Sequence, residues 1–99
     1  MAAETAGDPL PIGICLRTVR SEPVWWLESA RRLDAAGYAG VWAWDHYMGK
    51  GDLTVPVVES WTILAMAAAA TTRVTVGPFV LNNMNRHPAV VARIADFVG

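Results

Sequence analysis

Three short apolar runs succeed one another along the chain, each followed by a polar loop and then by a stretch with helical periodicity. The first run, Ile12-Gly13-Ile14-Cys15-Leu16, is continuous rather than alternating, as in a parallel strand buried on both faces. A polar loop over 17–22 follows. Pro23 suits the first turn of a helix, with Ser21 or Glu22 as its cap. Trp26, Ala30, Leu33 and Gly37 then fall on one apolar stripe, and Glu28 and Arg32 stand as an i,i+4 pair on the opposite side. Gly37 ends this helix as a left-handed cap.

The second run is Gly40-Val41-Trp42-Ala43-Trp44, and its loop over 45–57 is rich in Gly, Asp and Pro. The pattern predicts a helix over 58–70, packing through Trp61, Leu64, Ala65 and Ala68, with alanines that permit close approach to a neighbour. The third run is Val74-Thr75-Val76-Gly77, continuing unevenly through Pro78-Phe79-Val80-Leu81. A polar loop over 82–87 leads to Pro88 at the start of a third helix, in which Val90, Val91, Ile94 and Phe97 or Val98 line one side.

Strands alternating with helices of this length indicate βαβ units and a parallel sheet. Right-handed crossovers between strands kept in sequence order place all the helices on one face of that sheet. The other face then stays bare, although the strands are apolar on both sides. Closing the sheet into a (β/α)8 barrel would cover it and needs ~250 residues. A doubly wound sheet would need a reversal of strand order, and the loop over 17–22 lacks the glycines of a dinucleotide-binding turn. The predicted class is therefore α/β: a tail over 1–11, then the N-terminal three βα units of a (β/α)8 TIM barrel over 12–99, with a parallel sheet, helices on one face and the second half missing.

Composition supports a piece of something larger. Of 99 residues, 54% are hydrophobic and 17% charged, against ~45–50% and ~25% in typical domains. Net charge is −1 without a basic run, which argues against nucleic acid as a partner. The longest apolar stretch, over 63–70, falls far short of the ~20 residues of a membrane span. The start has acids and no basic residue, unlike a signal peptide. The single cysteine, Cys15, cannot form an internal disulfide. A cytoplasmic location is expected.

In barrels the chemistry sits at the C-terminal ends of the strands, here the loops over 17–22, 45–57 and 78–87. Asp45-His46 stands directly after the second strand. A histidine there can exchange a proton near neutral pH, and an adjacent acid can orient it or bind a polar ligand; a surface histidine without a task has the same sequence. Pro78 removes a ladder donor, so it marks either a bulge beside a site or the end of the strand at Gly77. No His-x-His or His-Glu-x-x-His spacing links His46, His87, Asp45 and Glu59, so no metal site is predicted. Cys15 reads as a buried strand residue rather than a nucleophile. Trp44 is the tryptophan placed to line a flat aromatic ligand.

The run Ala30-x-x-Leu33-x-x-Ala36-Gly37-Tyr38-x-x-Val41-Trp42-x-x-Asp45-His46 resembles the opening of luciferase-like monooxygenases. So do Glu59-x-Trp61-x-x-Leu64-Ala65 with Ala69-Ala70-Thr71-x-Arg73, and Val76-Gly77-Pro78-Phe79-Val80-Leu81 with Arg86-His87-Pro88-Ala89. The resemblance covers about 12–98 and implies a (β/α)8 barrel that binds FMN or the deazaflavin coenzyme F420. It implies that His46 is the acid–base residue and that Asp45 helps hold the ring or orient the site. It also implies a non-prolyl cis peptide backing the ring in the third strand, at Phe79–Val80, although Pro78 departs from several relatives. Trp44-Asp45-His46 and Arg86-His87-Pro88 look more like the F420 group.

The function so implied is part of an oxidoreductase or monooxygenase transferring a hydride or oxygen to a small organic substrate. Because the phosphate grip of such barrels lies near the last strands, this stretch alone is expected to bind flavin poorly or not at all. Self-association is expected. The alternative is a non-catalytic half barrel that pairs with itself through the open sheet face, and a more distant one is a metal-dependent barrel hydrolase.

Overall fold

The computed structural model describes residues 10–99; residues 1–9, most of the predicted tail, lie outside the described residues. Three strands and three helices alternate: β1 (Gly13–Leu16), α1 (Pro23–Ala35), β2 (Gly40–Ala43), α2 (Ser60–Ala70), β3 (Thr75–Pro78) and α3 (Pro88–Val98). The strands form one parallel sheet in the order β1-β2-β3. No helix among the described residues is long and apolar enough to cross a membrane.

Strand alternation divides the sheet into two unlike faces. Val41 and Ala43 are fully buried on one face, in a core with Trp26 and Ala30 of α1 and Ile63, Leu64 and Ala67 of α2; Leu16, Val76, Val91, Ile94 and Val98 pack against it. The other face carries Cys15, Trp42 and Gly77 side by side in register. There the Trp42 indole lies flat over Gly13, Gly40 and Gly77, one from each strand. Its pyrrole side covers Gly13, and its benzo ring reaches Gly77. The outer strands β1 and β3 therefore lack the burial on both faces that their apolar runs predict, because nothing else in the described residues covers this side; only β2, beneath its own Trp42, is buried nearly throughout.

Local signals set the ends of α1. Pro23 begins it, and Glu22 occupies the cap position without a side-chain hydrogen bond. Gly37 adopts φ +90°, where a Cβ is strained. The Tyr38 amide donates to the Leu33 carbonyl (3.1 Å) and the Gly37 amide to Asp34 (3.2 Å), the paired bonds of a Schellman turn. Glu28 pairs with Arg31 at 3.8 Å rather than with Arg32, and as an exposed pair it contributes little.

Helix α2 begins two residues later than its apolar pattern predicts. Val57 and Val58 are drawn away by the first loop: Val57 bridges Val19, and the Val58 amide donates to the Thr18 carbonyl (2.9 Å). Its buried face is also rotated. Trp61 and Leu64 are inside as expected, joined by Ile63 and Ala67, while Ala65 is exposed. In α3, Val91, Ile94 and Val98 face the core, and Phe97 is 91% exposed. β3 runs through Pro78, and the Phe79 amide extends the ladder by donating to the Ala43 carbonyl (2.8 Å). The bond Phe79–Val80 is cis, at the position implied by the resemblance.

Asp34, near the end of α1, holds the turn between α2 and β3. Its carboxylate accepts the amides of Arg73 (2.9 Å), Thr72 (3.0 Å) and Val74 (2.9 Å).

Two expectations follow from this packing. In Gly40→Ala the new Cβ lies 2.5 Å from Cζ2 of Trp42, and a urea midpoint should report a loss of about 1–3 kcal/mol from the overpacked ring. The amide bonds from Arg73, Thr72 and Val74 lower the Asp34 pKa from 3.8 to about 2. A carboxyl depressed in the folded state stabilises above its unfolded pKa and loses that contribution as pH falls through the folded value. The stability gap between wild type and Asp34→Asn should therefore be full at about pH 6, shrink as pH falls below about 4 and close only below about pH 2, read from urea midpoints across that range.

Candidate active site

The end of β2 is tied down on both sides before the chain turns into its long loop. The Thr18 hydroxyl, buried in the first loop, donates to the Trp44 carbonyl (3.2 Å). Asp45 follows and is 3% exposed. Its carboxylate takes a forked pair of bonds from Arg86, Nη1 to Oδ2 at 2.8 Å and Nη2 to Oδ1 at 3.0 Å, and Oδ2 accepts the Asn82 amide at 2.8 Å. Two parallel bonds to a charged planar group form the geometry guanidinium favours with carboxylate.

Arg86 also reaches Glu59 at the head of α2, through Nη2 and Oε2. The other oxygen of Glu59 caps the helix, accepting the Thr62 amide (2.8 Å) and hydroxyl (2.6 Å). Tyr47 covers the guanidinium with its ring, 5.7 Å from centroid to Cζ, and its hydroxyl donates to the Asn85 carbonyl (3.2 Å). Burial raises the Asp45 carboxyl, but the hydrogen bonds from Arg86 and Asn82 outweigh it and leave it below its ordinary range. Glu59 behaves alike, with burial opposed by Thr62 and Arg86. Arg86 is held charged chiefly by its bonds to Asp45, against the pull of burial.

His46 turns the other way. It is exposed and meets Trp44 edge-on, with ring centroids 6.1 Å apart and planes at 81°. Trp44, His46, Phe79 and Val80, with Asp45, Leu81 and Asn82, line one open depression of about 420 Å³ at the C-terminal edge of β2 and β3. Phe79 and Val80 present apolar surface to it, 61% and 75% exposed. The structure thus brings His46, Asp45, Phe79 and Val80 to one place. Asp45 lies beneath the surface, with its carboxylate directed at Arg86 and the Asn82 amide. Cys15 is exposed rather than buried; its thiol lies 4.0 Å from the Phe79 carbonyl at the rim, and partial desolvation pushes its pKa up. Among the described residues no group of three His, Cys, Asp or Glu side chains is placed to hold a metal ion.

A family model described as luciferase-like monooxygenase matches residues 19–96. The chain belongs to the luciferase-like monooxygenase family. A solved structure of an F420-dependent secondary alcohol dehydrogenase, in complex with an F420–acetone adduct, aligns at TM-score 0.76 and 26% identity over 85% of this chain. The chain spans 26% of that enzyme's length. No curated protein matches it. The luciferase-like family and this dehydrogenase are both of the oxidoreductase kind, and the fold is that of three consecutive βα units of a (β/α)8 barrel.

Arg86 enters the sequence reading only inside a family motif, and Glu59 there and as a metal ligand that is set aside; neither is given a role in the site. A signal existed: two acids and one arginine, all at strand ends or loop edges in a chain poor in charge. His87, the other histidine considered, caps α3, its Nδ1 accepting the Ala89 amide at 3.1 Å.

Asp45→Ala leaves the guanidinium in its buried seat with Glu59 alone. Breaking a buried pair from one side is costly, and urea unfolding of this variant should show a loss of about 3 kcal/mol, the lower end of that class because one partner survives.

Proposed function

We propose that this chain forms the acid–base wall of an F420- or FMN-dependent oxidoreductase, with F420 the favoured cofactor and a small organic molecule as substrate. The observation that carries the reading is the shared depression: one imidazole, the apolar side chains of Phe79 and Val80 and the exposed Trp44 ring meet at the C-terminal edge of the sheet. Those residues fit a flat, largely apolar ring system. Phe79 and Val80 would lie against it, Trp44 would flank it, and Asp45 would hold the neighbouring backbone rather than touch the ring. In barrels of this kind the phosphate grip lies near the last strands, beyond these three units.

When bound, such a cofactor supplies a two-electron hydride acceptor or donor. His46 handles the proton. Its ring makes no hydrogen bond to the described residues, so either nitrogen is free to take a proton from a substrate hydroxyl or to return one to a carbonyl oxygen. The 26% identical neighbour, named for secondary alcohols and F420, supports an alcohol–ketone pair as the substrate class. The exposed Cys15 and the half-buried Trp42 beside it support self-association through the open sheet face as a second reading, independent of catalysis.

The test is turnover by the protein carrying the complete barrel. His46→Ala should lower kcat by about 10²–10⁴-fold, the usual worth of a positioned acid–base group, while cofactor affinity measured by fluorescence titration holds. Unchanged turnover would remove His46 from the mechanism.

A further inference from the structure

His46 has no hydrogen-bonding partner of its own among the described residues, so its ring is aimed by what holds the backbone on either side of it. Both chain neighbours are held by one side chain. Arg86 grips Asp45 through two bonds of 2.8 and 3.0 Å, and it stacks against Tyr47 at 5.7 Å. Its own loop closes the same grip: the Asn82 amide reaches the Asp45 carboxylate (2.8 Å), the Asn85 side chain reaches the Asp45 carbonyl (3.4 Å), and the Tyr47 hydroxyl donates to the Asn85 carbonyl (3.2 Å). The third contact of Arg86, to Glu59, anchors the whole to the head of α2.

We propose that Arg86 is the positioning residue of this site, fixing the direction of the His46 ring by holding Asp45 and Tyr47 on either side of it. Arg86 acts through these neighbours: its two terminal nitrogens are bonded to Asp45 and Glu59, and its side chain is nine-tenths buried. It is absent from the lining of the His46 depression. Charge alone would not suffice. A lysine at 86 brings one compact ammonium, which cannot reproduce a planar fork onto Asp45 together with a further bond to Glu59 and a stacked face for Tyr47. The proposal rests on the reading of His46 as the acid–base residue only where turnover is concerned.

The decisive variant is Arg86→Lys, in the protein labelled with ¹⁵N-histidine and with the His46 signals assigned by their loss in His46→Ala. The wild type should give one set of His46 ring resonances. Arg86→Lys should keep a cooperative urea transition and broaden or double the His46 set. In the complete barrel kcat should fall about 100-fold, as for a displaced catalytic group, with KM and cofactor affinity retained. His46 resonances identical to wild type would overturn the proposal, whatever happens to turnover. Should Arg86→Lys fail to fold, Tyr47→Leu carries the same test: Tyr47 is half-exposed, so its loss spares the core, and an unmoved His46 set there would equally overturn it. Full turnover in His46→Ala, by contrast, would refute the proposed function and leave the resonance test to decide the positioning role separately.

Discussion

The forked ion pair between Arg86 and Asp45 is the joint on which the functional end of this chain depends. It links the tip of β2 to the loop before α3, and through Glu59 it takes in the head of α2. Burying the charges of Arg86 and Asp45, with Glu59 at their exposed edge, is unfavourable unless nearly every lone pair and proton is used. Here most are: the Asp45 oxygens accept from Arg86 and the Asn82 amide, while Glu59 divides its oxygens between the guanidinium and a helix cap. The arrangement is rigid because no member can move without leaving another unmatched. A chain otherwise poor in charge spends three of its ionic groups on holding one corner still.

That corner is where sheet and helix layer meet the loops. The helix layer is secured by ordinary apolar burial, with Trp26, Val41, Ile63 and Leu64 at its centre. The loops above it are secured by polar contacts that run between segments far apart in sequence. Thr18 meets Trp44, Pro56 receives the amides of Arg20 and Ser21, and the Tyr47 hydroxyl donates to the Asn85 carbonyl. The fold therefore has an apolar base and a polar rim, and the candidate site lies in the rim.

How much of this was legible follows from the range of each interaction. The alternation of strands and helices, the proline starts of α1 and α3 and the Gly37 stop are local, and the residues themselves announce them. The position of His46 directly after β2 is local too, and so it could be read. The late start of α2 could not be, because the Val58 amide is taken by the Thr18 carbonyl of the first loop and Glu59 becomes the cap. The outward turn of Phe97 depends on which side of α3 the core offers, and periodicity alone allowed either Phe97 or Val98. The Arg86 grip joins residues 41 apart in sequence. No spacing rule anticipates it, although the unusual scarcity of charge made each arginine and acid worth placing.

The Trp42 ring over Gly13, Gly40 and Gly77 has a consequence for variation in this chain. One indole fills the space that side chains from three strands would otherwise share, so those glycines are permitted by the tryptophan and required by it in turn. Positions 13, 40, 42 and 77 are then a single unit of heredity: a smaller residue at 42 opens the three glycine sites to change, and a side chain at any of them selects against the ring. Along this sheet face, substitutions should arrive in sets rather than singly.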